Sequence, residues 1–198
     1  MRAQLKGGRP TGNFAGPSAP QSGRLSEGKI PLRTEVSGML NRLLALIPAV
    51  GEDGRQYTVA LLEGGELLEI SRKLKAVLRG IFLDLGLSVE VGRLNAAEVL
   101  HTRRDLPLVI PPGRPLACLP LAEHSRLANG YVLADRIARV LPRNNGPHRT
   151  VLVFDDGTEW ALKADARVVE ARLARAARVA REMAGRWGSG SPELRRSS

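Results

Sequence analysis

The chain has 198 residues, in which 30 lysines and arginines outnumber 20 aspartates and glutamates, for a formal net charge of +10. Hydrophobic residues make up 43% of the sequence, which excludes a wholly disordered chain and suffices for one packed core. The length suits one domain with tails better than two full domains. The excess of cations indicates an anionic partner.

Residue types outside the charged set narrow the class of protein. The single cysteine, Cys118, excludes an internal disulfide and fits a reducing compartment. Because His101, His124 and His148 lie far apart, no zinc-site spacing is present, and neither a metal nor another cofactor is expected. The longest apolar run, at residues 43–50, is far shorter than the roughly 20 residues of a membrane-spanning helix. The N-terminus lacks the apolar stretch of a secretory signal, so these features predict a cytoplasmic protein with no membrane partner.

The excess of basic residues is uneven: it lies in the two tails, in a middle stretch and in the late segment at residues 164–187. Residues 1–30 are rich in Gly, Pro, Ser and Gln and hold five basic residues against one acid, which predicts a disordered basic tail. Residues 188–198 are predicted to be a second disordered tail. Between them, residues 31–187 contain neither an internal repeat nor a long linker, and we expect a single domain there.

The first predicted elements are strands. Apolar runs at residues 42–49 and 55–62 flank a Gly-Glu-Asp-Gly turn at 51–54, a pattern typical of a hairpin. A Gly-Gly turn then precedes a short predicted strand at residues 66–70. This part of the domain is therefore expected to consist of short antiparallel strands.

Two helices are predicted next. Residues 71–85 repeat apolar side chains at helical spacing, with Ser71 as the predicted N-cap and Gly86 just past the helix end. A second short helix is predicted at residues 93–102, with Asn95 as its N-cap.

The following segment is predicted to return to strands. Residues 106–122 are apolar but contain five prolines, which predicts short strands at edge or bulge positions because proline cannot donate to a ladder. Residues 131–141 are predicted to form one further strand. The clearest hairpin signal lies at residues 150–162, where two β-type runs flank an Asp-Asp-Gly turn.

Residues 164–187 are predicted to form an amphipathic helix, with Asp165 in the first turn, where the helix dipole favours an acid. The apolar stripe consists of Val169, Leu173, Ala176, Ala180, Met183 and Trp187, and the opposite side carries Arg167, Arg175, Arg178, Arg181 and Arg186. These arginines fit a solvated face, a contact with the DNA backbone, or a dimer contact through the Ala-rich stripe. The predicted fold class is α+β, with short antiparallel strands and hairpins, a mid-chain helix and this C-terminal amphipathic helix.

The sequence contains no recognisable catalytic motif, so no catalytic residue is expected and the protein is predicted not to be an enzyme. Asp155 and Asp156 are adjacent carboxylates in a turn and are interpreted as turn formers. Ser125 follows His124, but neighbours in sequence do not make a nucleophile and base, which must meet in space. Cys118 lies among apolar residues and is expected to be buried.

Clusters of basic residues instead favour nucleic-acid binding. Cations placed beside phosphates release counterions and so give salt-dependent affinity, and arginine is drawn into narrow, A·T-rich minor grooves. Aromatic residues make up only 4% of the chain, which disfavours base stacking on single strands. Duplex DNA is therefore the expected ligand. The clusters are Arg72, Lys73, Lys75 and Arg79, then Arg93, then Arg103 with Arg104.

Three longer stretches also carry information through their order. They are GRLNAAEVLHTRRDLPLVIPP at residues 92–112, PLACLPLAEHSRLANGYVLADRI at 115–137, and VLVFDDGTEWALKADARVVEARLARAAR at 151–178. Their order and spacing resemble the ComK family of bacterial competence transcription factors, over roughly residues 40–180.

The resemblance implies a sequence-specific DNA-binding activator of competence (DNA-uptake) genes. It also implies binding to paired A/T-rich boxes through the minor groove, as a homo-oligomer, and degradation through an adaptor and a protease. Gly92 and Arg93, with Arg103 and Arg104 before Pro107, match the basic motif of the family. Placing Arg93 in the minor groove follows from groove electrostatics rather than from the motif. The residues expected to bind DNA are Arg93, Arg103 and Arg104, supported by Arg72, Lys73 and Arg79.

Two other functions stay open from the sequence. One is a basic protein that binds structured RNA or the ribosome, and the other is an enzyme whose site is built from scattered residues. Tighter binding to folded RNA than to duplex DNA would favour the first. An enzymatic turnover that is lost on changing Asp156 or Ser125 would favour the enzyme. The expected location is the cytoplasm, with the protein on the nucleoid when DNA is bound.

Overall fold

The computed structural model describes residues 39–121, 129–144 and 147–188. Six strands form one sheet: β1 Leu43–Val50, β2 Gln56–Leu62, β3 Leu67–Ile70, β4 Leu108–Ile110, β5 Arg114–Leu119 and β6 Gly130–Leu133. Three more form a second sheet: β7 Ile137–Pro142, β8 Thr150–Phe154 and β9 Glu159–Leu162. The α-helices that follow β3 are α1 Leu74–Asp84, α2 Val89–Leu100 and α3 Ala166–Gly188. The predicted α+β class is therefore confirmed, while the tail predicted at 1–30 and nearly all of the one at 188–198 lie outside the described residues.

The six-stranded sheet has the order β3-β2-β1-β6-β5-β4, and all neighbouring strands are antiparallel. Helices α1 and α2 cover one face, and the second sheet with α3 covers the other. Along β5, Leu116 and Cys118 lie in the first core, and Ala117 and Leu119 lie in the second. Because both faces are buried, the strands read as nearly continuous apolar runs.

Strand β1 contributes to both cores and contains a bulge that interrupts its alternation. Its register with β2 shifts between Leu43 and Ala45. As a result, Leu44 and Ala45 both lie in the second core, whereas Leu43 and Leu46 lie in the first. The hairpins predicted around residues 51–54 and in 150–162 are both confirmed.

Helix α1 ends as predicted but begins later than predicted. Gly86 follows the helix end with a φ of +69°, the left-handed conformation that favours glycine. The helix begins at Leu74, so the N-cap predicted at Ser71 is wrong. The reason is tertiary, because the Thr58 hydroxyl on β2 donates to the Arg72 carbonyl (2.8 Å) and holds this segment against the sheet.

Helix α2 begins earlier than predicted. Its N-cap is Ser88, whose hydroxyl oxygen accepts a hydrogen bond from the Val91 N–H (3.4 Å). The cap predicted at Asn95 is therefore wrong, and Asn95 lies inside the helix. The helix ends at Leu100, and the C-cap that follows, His101, has a left-handed φ of 52°.

The single strand predicted at residues 131–141 is wrong, because the chain changes sheets there. Strand β6 ends at a 3₁₀ turn, Ala134–Arg136, and β7 then starts the second sheet. The Arg136 guanidinium donates to the carboxylates of Glu63 and Asp155, which fixes the turn. The apolar pattern along one segment does not indicate that the chain leaves one sheet and pairs with a strand of another.

The proline-rich segment at 106–122 forms two strands of different kinds. Strand β4 is a sheet edge, as predicted, but β5 lies in the interior between β6 and β4. Pro115 on β5 lies opposite Val109 of the short edge strand. The expectation of edge or bulge positions is thus confirmed for β4, which is an edge strand, and is wrong for β5.

Helix α3 packs its predicted stripe against both sheets. Val169, Ala176, Ala180 and Met183 are buried and Leu173 is partly buried, whereas the side chain of Trp187 lies outside the described part. Asp165 precedes the helix, where its carbonyl accepts the N–H of Val168 and Val169, and its carboxylate pairs with Arg149. In the described ranges, no helix combines the length and apolar character needed to cross a bilayer.

Candidate nucleic-acid interface

The loop between α2 and β4 is held to the rest of the fold at several points. The Asp105 carboxylate accepts hydrogen bonds from Asn129 Nδ2 (2.6 Å) and Arg172 Nη2 (2.8 Å). The Leu106 carbonyl accepts one from the Tyr131 hydroxyl (3.3 Å). Asp105 has a φ of 50°, which a short polar side chain tolerates better than most. The loop backbone is therefore fixed to β6 and to α3.

This anchored loop exposes two of the predicted DNA-binding arginines. Arg103 and Arg104 are exposed, and neither guanidinium has a hydrogen-bond or ion-pair partner among the described residues. The Arg104 carbonyl accepts a hydrogen bond from Arg175 Nη2 (3.2 Å), which joins the loop to the middle of α3. Both charges are thus available to an anion while their backbone is held in place.

The exposed side of α3 continues the positive surface beside this loop. Arg167, Arg178 and Arg181 are exposed, and at about 100° per residue they fall within about 60° of one another. At a rise of about 1.5 Å per residue, they span about 21 Å along the helix. In the part of the chain that the structure describes, none of the three has an ion-pair partner. We call Arg103, Arg104, Arg167, Arg178 and Arg181 the basic surface.

Arg93 is connected to the same loop through Tyr131. Its Nη2 donates to the Tyr131 hydroxyl (3.2 Å), which in turn donates to the Leu106 carbonyl. The hydrogen bond to Tyr131 raises the pKa of Arg93, and burial raises the pKa of Tyr131, so the pair stays a charged guanidinium and a neutral phenol. A guanidinium has five N–H donors, and this contact leaves donors for a phosphate or a base edge.

The basic residues at 72–79 lie elsewhere. Arg72 and Lys73 are exposed at the start of α1, next to β3, and β3 and β4 are the opposite edges of the six-stranded sheet. Five strand intervals of about 4.8 Å separate these edges by about 24 Å. Arg79 donates through Nε and Nη2 to Glu90 Oε1 (2.9 and 2.6 Å), so its charge is already paired. Of the predicted residues, Arg103 and Arg104 lie on the anchored loop, and Arg93 is linked to that loop through Tyr131.

The sequence pattern does not identify the residues that hold the loop. It gives Arg172 no role and places Arg175 on the side of the helix opposite the apolar stripe. Arg172 lies one turn from both Val169 and Ala176, which are buried. That position was the available signal, because a cation beside a buried stripe needs a partner.

The remaining candidate residues have structural contacts. The Asp156 carboxylate accepts the N–H of Gly64 (2.7 Å), and Asp155 pairs with Arg136, in keeping with their interpretation as turn formers. Cys118 is buried, and this burial raises the pKa of its thiol. Among described residues, no group of three or more His, Cys, Asp or Glu side chains is arranged to hold a metal ion. His124 and Ser125 lie outside the described residues.

Comparisons of this chain with models of protein families, with curated proteins and with solved structures find no match. The candidate interface is therefore described from its own geometry alone. It consists of an anchored loop with two unpaired arginines, a neighbouring row of arginines on α3, and Arg93 at its flank.

Proposed function

We propose that this protein binds duplex DNA through the basic surface and Arg93, and that it acts as a transcription activator. The observation that carries the proposal is the pair Arg103 and Arg104, two unpaired guanidinium groups on a loop held by Asp105 and Arg175. Because the loop backbone is already ordered, binding phosphate costs side-chain rotamer entropy but little backbone entropy.

The extent and charge of the basic surface suit a duplex. Its arginines extend over about 21 Å along α3, enough to contact phosphates on both sides of a minor groove about 6 Å wide. Each guanidinium beside a phosphate displaces condensed counterions. Arg93, oriented by its hydrogen bond to Tyr131, is the candidate for insertion into a narrow A/T-rich groove. Both faces of the larger sheet are covered, which disfavours base stacking on an open sheet.

The more specific role rests on the resemblance to the ComK family. Of the residues matched to that family's basic motif, Arg103 and Arg104 lie on the anchored loop, and Arg93 is linked to the loop through Tyr131. On this basis, we propose that the protein activates competence genes from paired A/T-rich boxes, as a cytoplasmic homo-oligomer that joins the nucleoid when bound. Degradation through an adaptor and a protease is part of the same proposal. The mechanism is binding alone, without covalent chemistry.

The double substitution Arg103→Ala with Arg104→Ala tests this interface. We expect the affinity for an A/T-boxed duplex to fall at least about tenfold at fixed salt. The slope of log K against log salt should become shallower by about 2, because each lost phosphate contact retains about one counterion. Fluorescence anisotropy titrations at several salt concentrations measure both quantities.

The matched control is Arg72→Ala with Lys73→Ala, which removes the same charge at the opposite sheet edge. We expect it to lower the affinity by less than about threefold, because these residues act only through the long-range field. Equal losses from the two pairs would contradict binding through the basic surface. Circular dichroism verifies that both variants stay folded.

The same titrations with other ligands separate duplex DNA from the RNA alternative. We expect an A/T-boxed duplex to bind more tightly than a G·C duplex of equal length, because its minor groove is narrower and more negative. Equal binding to both duplexes, with tighter binding to a folded RNA hairpin, would favour a structured-RNA or ribosome-associated protein instead.

A further inference from the structure

Four large apolar side chains are exposed in the stretch that runs from the end of α1 to the middle of α2. Leu83 is 74% exposed, Leu94 70%, Val91 54% and Leu85 37%. Only two other large apolar residues of the described chain are comparably exposed, and they lie on β7 and α3. A concentration of this kind on one surface indicates an interaction site rather than scattered surface leucines.

An ion pair joins the two halves of this surface. Arg79 on α1 pairs with Glu90 on α2 through two hydrogen bonds. Leu83 lies one turn after Arg79, and Leu94 lies one turn after Glu90, so the two leucines flank the ion pair. We call Leu83, Leu85, Val91 and Leu94 the α1–α2 patch.

A cleft of about 130 Å³ opens beside the patch. Its apolar walls include Phe82, Leu87, Val91, Val109 and Met183, which come from both helices, β4 and α3. Because Val91 belongs to the cleft and to the patch, the two are contiguous. Such a cleft can receive an apolar side chain of a partner at the centre of an interface.

We propose that the α1–α2 patch is the interface between two copies of this chain. A standard interface buries about 800 Å² per partner, of which a little over half is apolar. The four exposed side chains present roughly 300 Å² of apolar surface. The cleft walls and the aliphatic stem of Arg79 add to it. The patch thus supplies most of the apolar area that a stable dimer needs.

The charges around the patch favour a second copy over a partner with charge of one sign. Exposed Asp84, Glu90 and Glu98 lie beside two cations, Arg79 and Arg186. In a twofold interface the same surface meets itself, so Arg79 of one copy can face Glu90 of the other. A strongly acidic or strongly basic partner would leave one set of these charges unmatched.

This inference deepens the homo-oligomer of the proposed function, on which it rests, by assigning its interface to a surface that the proposed DNA contacts do not use. Arg93 lies between Val91 and Leu94 in the sequence of α2, and its guanidinium bonds to Tyr131. The dimer would therefore carry two copies of the basic surface in one assembly.

The test is the mass of the full-length protein without DNA, measured by light scattering over a range of concentrations. We expect the mass to rise from one copy to two as the concentration is raised to about 100 μM. Leu83→Lys with Leu94→Lys should raise the dimer dissociation constant by about 100-fold or more, because like charges would then meet across the twofold axis. Lysine is a good helix former, so the helices are retained.

Leu141→Lys is the matched control, since Leu141 is an exposed leucine on β7, away from the patch. It should leave the dimer unchanged. A milder variant, Leu94→Ala, should weaken the dimer by about tenfold and guards against misfolding of the double variant. A wild type that stays monomeric at about 100 μM overturns the proposal, and so does a double variant that dimerises like the wild type. Neither result bears on the DNA titrations, which test the basic surface separately.

Discussion

Arg136 joins three separate segments of the chain through its guanidinium. Its Nε donates to Asp155 (2.7 Å), its Nη1 to the Asn41 carbonyl (3.2 Å), and its Nη2 to Glu63. The side chain is only 15% exposed, so these bonds are partly shielded from water. The hydrogen bond between Arg136 and Asp155 raises the pKa of the Arg136 guanidinium and lowers the pKa of the Asp155 carboxyl.

This contact predicts how stability depends on pH. A carboxyl whose pKa is lowered by folding adds stability above its unfolded pKa, and that contribution is lost as the pH falls through its folded pKa. For Asp155, the free energy of unfolding should therefore fall as the pH drops below about 4. Arg136→Met should be about 1–3 kcal/mol less stable at pH 7 and should fall less steeply below about pH 4. Denaturant titrations at several pH values measure both effects.

Arg55→Met is the control for that experiment. Arg55 pairs with Asp53 in an exposed turn, where ion pairs contribute little. The free energy of unfolding of the Arg55→Met variant should stay within about 0.5 kcal/mol of the wild-type value and should depend on pH in the same way. An Arg136→Met variant with the wild-type pH profile would contradict the role assigned to the Asp155 contact.

At the scale of elements, two glycines have opposite roles in their strand and helix. A Cβ atom built on Gly130, in β6, would lie 2.6 Å from the Leu46 carbonyl oxygen and 2.8 Å from Leu121 Cδ1. The backbone of β1 approaches β6 too closely for a side chain. A Cβ atom on Gly80, in α1, would meet nothing within 4 Å. Glycine is therefore required at position 130 in the strand, whereas at position 80 in the helix it only lowers the stability of the folded protein.

Alanine substitutions at these positions should change stability in opposite directions. Gly130→Ala should cost about 2–3 kcal/mol or more, because β1 and β6 would have to separate. Gly80→Ala should stabilise the protein by about 0.5–1 kcal/mol, because alanine loses less conformational entropy in a helix. Chemical denaturation of each single variant measures the change in the free energy of unfolding. A Gly130→Ala variant as stable as the wild type would contradict the close packing of these strands.

At the scale of the whole molecule, the second sheet shares its core with the first. Leu152 and Phe154 of β8 belong to the same buried cluster as Ala117 and Val132 of the larger sheet. A further cluster joins α2, β4 and α3. The cores are thus connected through the larger sheet, which contributes side chains to both of its faces.

This connection predicts one cooperative unfolding transition. Trp160 on β9 packs against the second core, whereas α1 packs on the opposite face of the larger sheet. In a Trp187→Phe background, Trp160 is the one tryptophan left of the two in the sequence. Its fluorescence and the helical circular dichroism should change at the same denaturant concentration. Separate midpoints would mean that β7–β9 unfold independently of the larger sheet.

Much of the secondary structure could be predicted because it depends on residues close together in the chain. The turns at 51–54 and in the β8–β9 hairpin, the glycine after α1 and the apolar stripe of α3 all agree with the structure. The errors occur where a distant segment intervenes. Thr58 delays the start of α1, and the bonds of Arg136 to Glu63 and Asp155 end β6 early. No local pattern contains these contacts.

The sequence by itself determined the charge of this protein, its hairpin turns, the amphipathic character of α3 and the candidate arginines, because each depends on composition or on short-range periodicity. Only the tertiary structure decided which cations act together. The Arg104 carbonyl accepts a hydrogen bond from Arg175, 71 positions later in the chain, and Arg79 pairs with Glu90. Arg72 and Lys73 lie at the sheet edge opposite the anchored loop. The physical reason is that packing of the sheet and hydrogen bonds between distant segments, rather than spacing along the chain, set the distances between charges.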